Sequence, residues 1–225
     1  MDAILSSPLF GLTLTCGAWA LAQWFQKKSG FTLLPPILVA VALILTFLLA
    51  FRIPYACYEA GGSIIHLMLT PVTAVLALNI YNQRKLLGRY FLPVVAGCLA
   101  GSLTSVVSVV LLCRLLAVDS MITASILPKS VTTAIAVAIA DSQGGLPSLA
   151  VAAVMVAGIG GTVCAPLFAR LFRITDPVAE GVAIGACSHA LGTTKAMEIG
   201  ELQGAMSSIA ICICGILTAV LVLFL

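Results

Sequence analysis

The chain has 225 residues, 61 % of them hydrophobic and 8 % charged, with a formal charge of +3. A soluble domain carries about 25 % charged residues, so an ordinary soluble globule is excluded, and apolar runs that do not alternate exclude a transmembrane β-barrel. Neither a basic arm nor interleaved aromatic and basic residues points to nucleic acid, and an all-α polytopic membrane protein is the class that remains.

A span needs about 20 apolar residues, and candidates fall near 4–25, 35–51, 63–82, 91–113, 146–169 and 205–225, about six in all. The N-terminal run has no basic n-region and meets Lys27 and Lys28 only at its end, so a retained span is expected rather than a signal peptide. Trp19 and Trp24 lie where rings can anchor at an interface. The second span opens at Pro35-Pro36, where missing N–H groups cost little. Lys and Arg favour the cytoplasmic side. That rule places Lys27 and Lys28, then Arg84, Lys85 and Arg89, then Arg170 and Arg173 inside, with the Arg52–Gly62 loop outside and Arg114 as a mild exception. The eight Cys fall mostly in apolar segments without C-x-x-C, and read as small buried hydrophobes. No metal site is expected.

Two polar stretches interrupt this pattern. ILPKSVTTAIAVAIADSQGG, from Ile126, carries Pro128, Lys129, Ser130, Thr132 and Thr133. CSHALGTTKAMEIGELQGAMSS, from Cys187, repeats its plan: a polar turn to Thr-Thr, a helix-like run to Gln-Gly, then a Ser and a long apolar segment. If Arg170 and Arg173 are inside, residues 119–145 enter and leave on the outer face. They form a hairpin with arms near 120–127 and 131–143 and a tip at Pro128-Lys129-Ser130. An arm of about 13 residues reaches roughly 20 Å, too short to cross. Residues 176–203 form the matching inner hairpin, with arms near 177–187 and 193–203 and a tip at Ser188–Gly192. Two opposed re-entrant hairpins, each followed by a span, make the inverted repeat of a transporter. The alternative is that each stretch is a broken helix crossing fully, which makes the repeats parallel. In the hairpin reading residues 1–118 are a scaffold carrying the oligomer contacts, and 119–225 hold the site.

The second arms start at the tips, near Val131 and Thr193. A helix N-terminus offers unpaired N–H groups and partial positive charge, which suits an anion. Ser130, Thr132, Thr133, Ser188, Thr193 and Thr194 add hydroxyls, and Lys129, His189 and Lys195 add charge. Glu198, one turn into its arm, is the candidate for coupling. Plainer roles compete: the hydroxyls can cap helices, Lys129 can snorkel, His189 can be a hydrogen-bonded core residue, and Lys195 and Glu198 can neutralise each other. Asp141, Asp176, Glu180 and Glu201 lie nearer the interfaces, where solvated or capping roles are expected. Gly158, Gly160 and Gly161 read as packing residues. There is no G-x-S-x-G, H-E-x-x-H or P-loop, so neither an enzyme nor a nucleotide-driven pump, and no cofactor, is expected.

PKSVTT with GGLPSL, SHALGTTKAMEIGELQGAMSS, and TPVTAVLALNIY at Thr70–Tyr81 resemble the signature stretches of the LrgB/CidB family of bacterial membrane proteins. The resemblance covers most of the chain and is most specific from Pro128 onward. It implies a multi-pass protein of the bacterial cytoplasmic (inner) membrane that works with a small LrgA/CidA-like membrane partner, and a homo-oligomer, a dimer, is expected. The family includes the LrgB-like half of the plastidic glycolate/glycerate translocator. Its members are described as transporters of pyruvate-like monocarboxylates and as holin/antiholin-like modulators of murein hydrolase activity. The expected function is therefore secondary transport of a small 2-hydroxy or 2-oxo monocarboxylate, coupled to an ion or proton, and the alternative is a holin/antiholin-like regulator of autolysis. This chain departs from the pattern at Ala134 and Ala138, where many members carry Pro and Glu, so no proton-coupling role is expected of a carboxylate in the first arm. It also contains only the LrgB-like part of the fused plant protein.

Overall fold

A computed structural model describes residues 5, 7–29, 36–68, 71, 78 and 81–224. The described regular structure is helical, in two compact units, Met1–Val72 and Thr73–Leu225.

In the first unit α1 (Pro8–Ser29), α2 (Pro36–Ala50) and α3 (Tyr55–Leu67) pack through Ala18, Ala22, Ala40, Ile44 and Leu48. α1 and α3 cross where two glycines meet: a Cβ on Gly61 would fall 2.7 Å from Leu12 N, and one on Gly11 would fall 3.0 Å from Gly61 Cα. Small residues let helix backbones come this close in an apolar solvent. The Thr15 and Tyr58 hydroxyls hydrogen-bond beside the crossing at 3.0 Å. Most of the expected Arg52–Gly62 loop is thus helix. Arg52 turns the chain (φ 52), Pro54 holds an extended N-cap position, and Gly61 needs helical geometry to pack on Gly11. Half of the expected span at 63–82 lies outside the described residues.

The second unit contains α4 (Arg84–Arg89), α5 (Phe91–Leu115), α6 (Ser120–Ile126), α7 (Thr133–Ser142), α8 (Pro147–Leu171), α9 (Pro177–Ile199) and α10 (Glu201–Val222). Of the described helices, three are long and apolar enough to cross a membrane: α5, α8 and α10. α1 has 22 residues, but Thr13, Thr15 and Gln23 keep it less apolar, and α2 has only 15. α5 and α10 run side by side in the same direction. Val94 and Cys98 meet Met206 and Ala210 towards one end, and Val109 and Cys113 meet Val222 at the other.

Two hairpins fill the remaining space. α6 begins on a cap from Asp119, whose Oδ2 accepts from Met121 N at 2.9 Å, and the chain bends over Leu127–Val131 into α7. α7 returns towards the end where α5 and α10 terminate, with Ile139 packed beside Val222 and Cys113. Its 10 residues reach about 15 Å, half a hydrocarbon core. At its foot Ser125 Oγ accepts from Leu146 N at 2.7 Å and so ties α6 to the start of α8.

α9 folds back on itself at the other end. Asp176 caps it by accepting from Val178 N at 2.7 Å and Ala179 N at 3.1 Å. Its first half climbs α10: a Cβ on Gly181 would fall 2.9 Å from Gln203 Cα, and one on Gly185 2.9 Å from Ser207 Cα. This glycine pair, spaced four apart, again brings two backbones together. At His189 the backbone leaves the helix (φ 41, ψ −136), and the second half descends the same helix. Thr193 bonds Ser207 at 2.7 Å, and a Cβ on Gly204 would lie 3.0 Å from Met197 Cα. The first arm's foot is tied to the start of α10, where Gln203 Nε2 donates to Glu180 at 3.2 Å.

The bend of this hairpin is tighter than the expected Ser188–Gly192. Leu191, Gly192 and Thr193 already belong to the second arm, because Gly192 packs into the reversal with its Cα facing Ile184; a Cβ there would lie 3.0 Å from Ile184 Cγ2. The second arm also ends at Ile199 rather than Gln203, since the extended Gly200 (φ 179, ψ 159) lets α10 start at Glu201.

Candidate functional site

Both bends stop at mid-height of the second unit, and α5 and α8 bring them to the same level. On α5 a stripe of small residues spaced four apart faces them. A Cβ on Gly97 would lie 3.3 Å from Val182, and one on Gly101 3.3 Å from Ala186, so the first arm of α9 ends one turn below Ser105. Ser105 meets the other bend: Lys129 Nζ donates to Ser105 Oγ at 3.0 Å, and the Ser105 and Ser130 hydroxyls bond at 2.7 Å. On α8, Val154 packs with Val131 of the first bend, and its carbonyl accepts from His189 Nε2 of the second at 2.8 Å.

The first bend keeps most of its expected polar residues at the site. Lys129 and Ser130 are partly buried. Among the described residues Lys129 has a hydroxyl as its partner and no carboxylate. Thr132 is the N-cap of α7, yet its side chain makes no capping bond, and Thr132 Oγ1 is buried without a partner. Thr133 is the first residue of α7, so the free N–H groups of this helix open beside Thr132.

At the second bend the expected residues separate into two groups. Ser188 is fully buried and its hydroxyl also lacks a partner. His189 is anchored on α8, where Gly158 makes room for its ring; a Cβ at 158 would fall 2.7 Å from His189 Nε2. Gly161 does the same for Ser188, where a Cβ would fall 2.8 Å from Ser188 Cβ. The sequence reading of these two glycines as packing residues is therefore right, with the hairpin tip as their partner. A Cβ at Gly160 meets nothing.

Thr193, Thr194 and Lys195 lie within the second arm rather than at its N-terminus, and Glu198 lies further along it, as expected. The break at His189 starts that arm earlier, which leaves Thr193 buried and Thr194 exposed along it. Thr193 is satisfied internally, donating to His189 O at 3.0 Å and bonding Ser207, and Thr194 returns its hydroxyl to Ala190 O at 3.3 Å. Lys195 and Glu198 form an ion pair of 2.8 Å on an exposed face, with Glu198 56 % exposed.

Sequence reasoning missed Ser105 and Ser207, which pair with residues 25 and 14 positions away. For Ser105 a signal existed: Gly97, Gly101 and Ser105 recur every four residues and mark one close-packed helix face. An open groove of about 340 Å³ lies elsewhere, on the outer side of α7, lined by Ala134, Ala138, Ala219, Val222 and neighbours. It is almost wholly apolar and includes none of the polar residues of the bends. Of the cysteines, Cys98, Cys113, Cys212 and Cys214 are buried as expected, whereas Cys16 and Cys187 are exposed. No cluster of His, Cys, Asp and Glu among the described residues could hold a metal ion.

Comparison with known proteins adds a family to this geometry. The chain is 36 % identical over 206 residues to the protein YxaC of Bacillus subtilis strain 168, covering 92 % of this chain and 90 % of the relative. It is 35 % identical over 217 residues to the antiholin-like protein LrgB of the same strain, covering 96 % and 94 %. The antiholin-like protein LrgB of Bacillus mycoides strain KBAB4 is 33 % identical over the same length, with the same coverage. No solved structure matches. The pattern of the LrgB-like family matches residues 15–225, and the chain belongs to that family.

Proposed function

We propose that this chain is a secondary transporter of small 2-hydroxy or 2-oxo monocarboxylates, the class of glycolate, glycerate, lactate and pyruvate. The observation that carries the reading is Lys129, a partly buried ammonium with a hydroxyl for a partner and no carboxylate among the described residues. Beside it stand the N-terminus of α7 and the unpartnered hydroxyl of Thr132; Ser188 supplies another at the second bend. Buried polar groups without partners are costly, and an intramembrane cation is a functional site by default. One small anion with several acceptor oxygens satisfies these groups together.

In this reading the two hairpins are opposed re-entrant elements of an inverted repeat, in a multi-pass protein of about six spans in a bacterial cytoplasmic membrane. The packing of α7 towards one end of α10 and of both halves of α9 towards the other supports that arrangement. Residues 119–225 are the part that moves. Because α5 touches both bends through Gly101 and Ser105, it is the surface along which they slide. The oligomer, a dimer, forms through residues 1–118, and a small LrgA/CidA-like membrane protein is a partner. Asp119 and Gly145 should be labelled from one face on a Cys-free background, and Asp176 and Gln203 from the other, cytoplasmic face. Labelling of 119 and 145 from opposite faces would overturn the hairpins.

The names of the relatives back a second reading more directly: a holin/antiholin-like regulator of murein hydrolase activity and autolysis, with no substrate. Uptake of radiolabelled lactate and pyruvate into proteoliposomes, with and without an LrgA-like partner, separates the two. Saturable uptake supports transport. Absent uptake in both preparations, together with altered autolysis when the gene is deleted, supports the regulator. If uptake occurs, Glu198→Gln should flatten its pH dependence, since Glu198 is the candidate coupling carboxylate. A Glu198 that merely pairs with Lys195 predicts an unchanged profile per folded molecule.

A further inference from the structure

Both polar side chains at the bend of the first hairpin converge on one hydroxyl of the neighbouring span. Ser105 Oγ lies 3.0 Å from Lys129 Nζ and 2.7 Å from Ser130 Oγ. Helix hydroxyls in this protein usually turn back to a carbonyl a turn earlier, as Thr46 does to Ala42, Ser108 to Ser105 and Thr162 to Gly158. That habit hides the hydroxyl inside its own helix. Ser105 instead spends its hydroxyl on the bend, beside the one partly buried ammonium of the site.

We infer that Ser105 contacts the ligand, and that the Ser105–Ser130 hydroxyl pair receives the ligand's oxygen at C2 while Lys129 takes its carboxylate. The inference rests on the transport-site reading above. Lys has three donors and no acceptor. Ser105 occupies one, which leaves two for a carboxylate. An oxygen held by another donor of the tetrahedral ammonium lies about 4–5 Å from Ser105 Oγ, so the next oxygen along the ligand can stand between them and reach the hydroxyl pair. Each hydroxyl offers one donor and two acceptor sites, so the pair serves a 2-hydroxy and a 2-oxo group equally. A carboxylate with only hydrogen at C2 leaves the pair unmatched, and the site therefore discriminates against it.

The test is competition binding to the purified full chain in detergent, with radiolabelled lactate as probe and pyruvate and propionate as competitors. The parent should prefer lactate and pyruvate over propionate by about tenfold or more, the scale of one hydrogen-bonding group left unmatched. Ser105→Ala should erase that preference, weakening lactate about tenfold while propionate stays within about twofold. Ser130→Ala removes the same pair from the hairpin side and should give the same loss of preference, which covers the case of a poorly folded Ser105→Ala. Ser108→Ala, one turn away with its hydroxyl tied to its own helix, should bind like the parent.

Lys129→Ala should weaken all three ligands. Should it do so while Ser105→Ala and Ser130→Ala keep the parent's preference, the inference is wrong and the anion site stands. Equal loss of lactate and propionate in Ser105→Ala also overturns it, because Ser105 would then act only by positioning Lys129. If the parent binds none of the three, the transport-site reading falls and the inference falls with it.

Discussion

Lys129→Gln should weaken lactate or pyruvate binding by about ten- to 150-fold, the range for losing a hydrogen bond to a charged group at roughly 1.5–3 kcal/mol. Gln is one bond shorter than Lys but keeps a donor, so with a small shift a bond to Ser105 Oγ can survive and the bend can stay docked on α5. What disappears is the positive charge, which in a partly buried setting is screened far less than at a surface. Lys27→Gln is the matched control. Lys27 sits in the last turn of α1 on an exposed face, where a lost charge changes little. Isothermal titration on both purified variants, alongside thermal unfolding to count folded protein, measures the difference. Equal affinities for the two variants would mean that the ammonium snorkels and holds no ligand.

The second large effect concerns the anchoring of the other bend. Gly158→Val should dislodge His189, because a Cβ at 158 would fall 2.7 Å from His189 Nε2 and 3.0 Å from Leu191 Cδ1. His189 holds a left-handed backbone conformation (φ 41) that a residue with a Cβ tolerates only when its surroundings impose it. Two of those surroundings are the 2.8 Å bond to Val154 O and the bond from Thr193 to its carbonyl. Overpacking a filled site costs about 1–3 kcal/mol, and freeing the ring removes a buried hydrogen bond as well. The variant should unfold at a lower temperature and expose the buried position 188, replaced by Cys, to thiol reagents. Gly160→Val, two residues along the same helix, faces open space and should resemble the parent. If the two variants are indistinguishable, the close approach of α8 to the bend is not what holds it.

A stabilising role for small residues runs through both predictions. Lipid is as apolar as Leu, so helices in a bilayer gain from close contact and satisfied polar groups more than from hiding apolar surface. Gly181 and Gly185 against α10, Gly158 and Gly161 against the α9 bend, and Gly97 and Gly101 against the first arm of α9 are the places where this chain uses that gain.

By itself the sequence determined the solvent class and the elements whose signal is local. Continuous apolar length marked α5, α8 and α10, because crossing a hydrocarbon core requires that length from every such helix. The Lys, Ser and Thr residues placed inside apolar stretches marked both bends, since polar groups there are too costly to be accidental, and the place of Asp176 near an interface marked it for a solvated or capping role. Signatures from Pro128 onward marked the family. Only the tertiary structure decided which of those polar residues share a site. Thr132 and Thr193 hold the same place in the repeated pattern, yet one is an unpartnered N-cap and the other is bonded to Ser207 inside an arm. The left-handed turn at His189 caused that difference, and it depends on the room that Gly158 of another helix leaves for a ring. Lys195 and Glu198, which looked like site residues by position, found each other one turn apart on an exposed face. Ser105 met the first bend through contacts with residues 24 and 25 positions away. Local spacing sets which face of a helix a residue occupies, but what stands opposite that face is settled by packing between segments far apart in the chain.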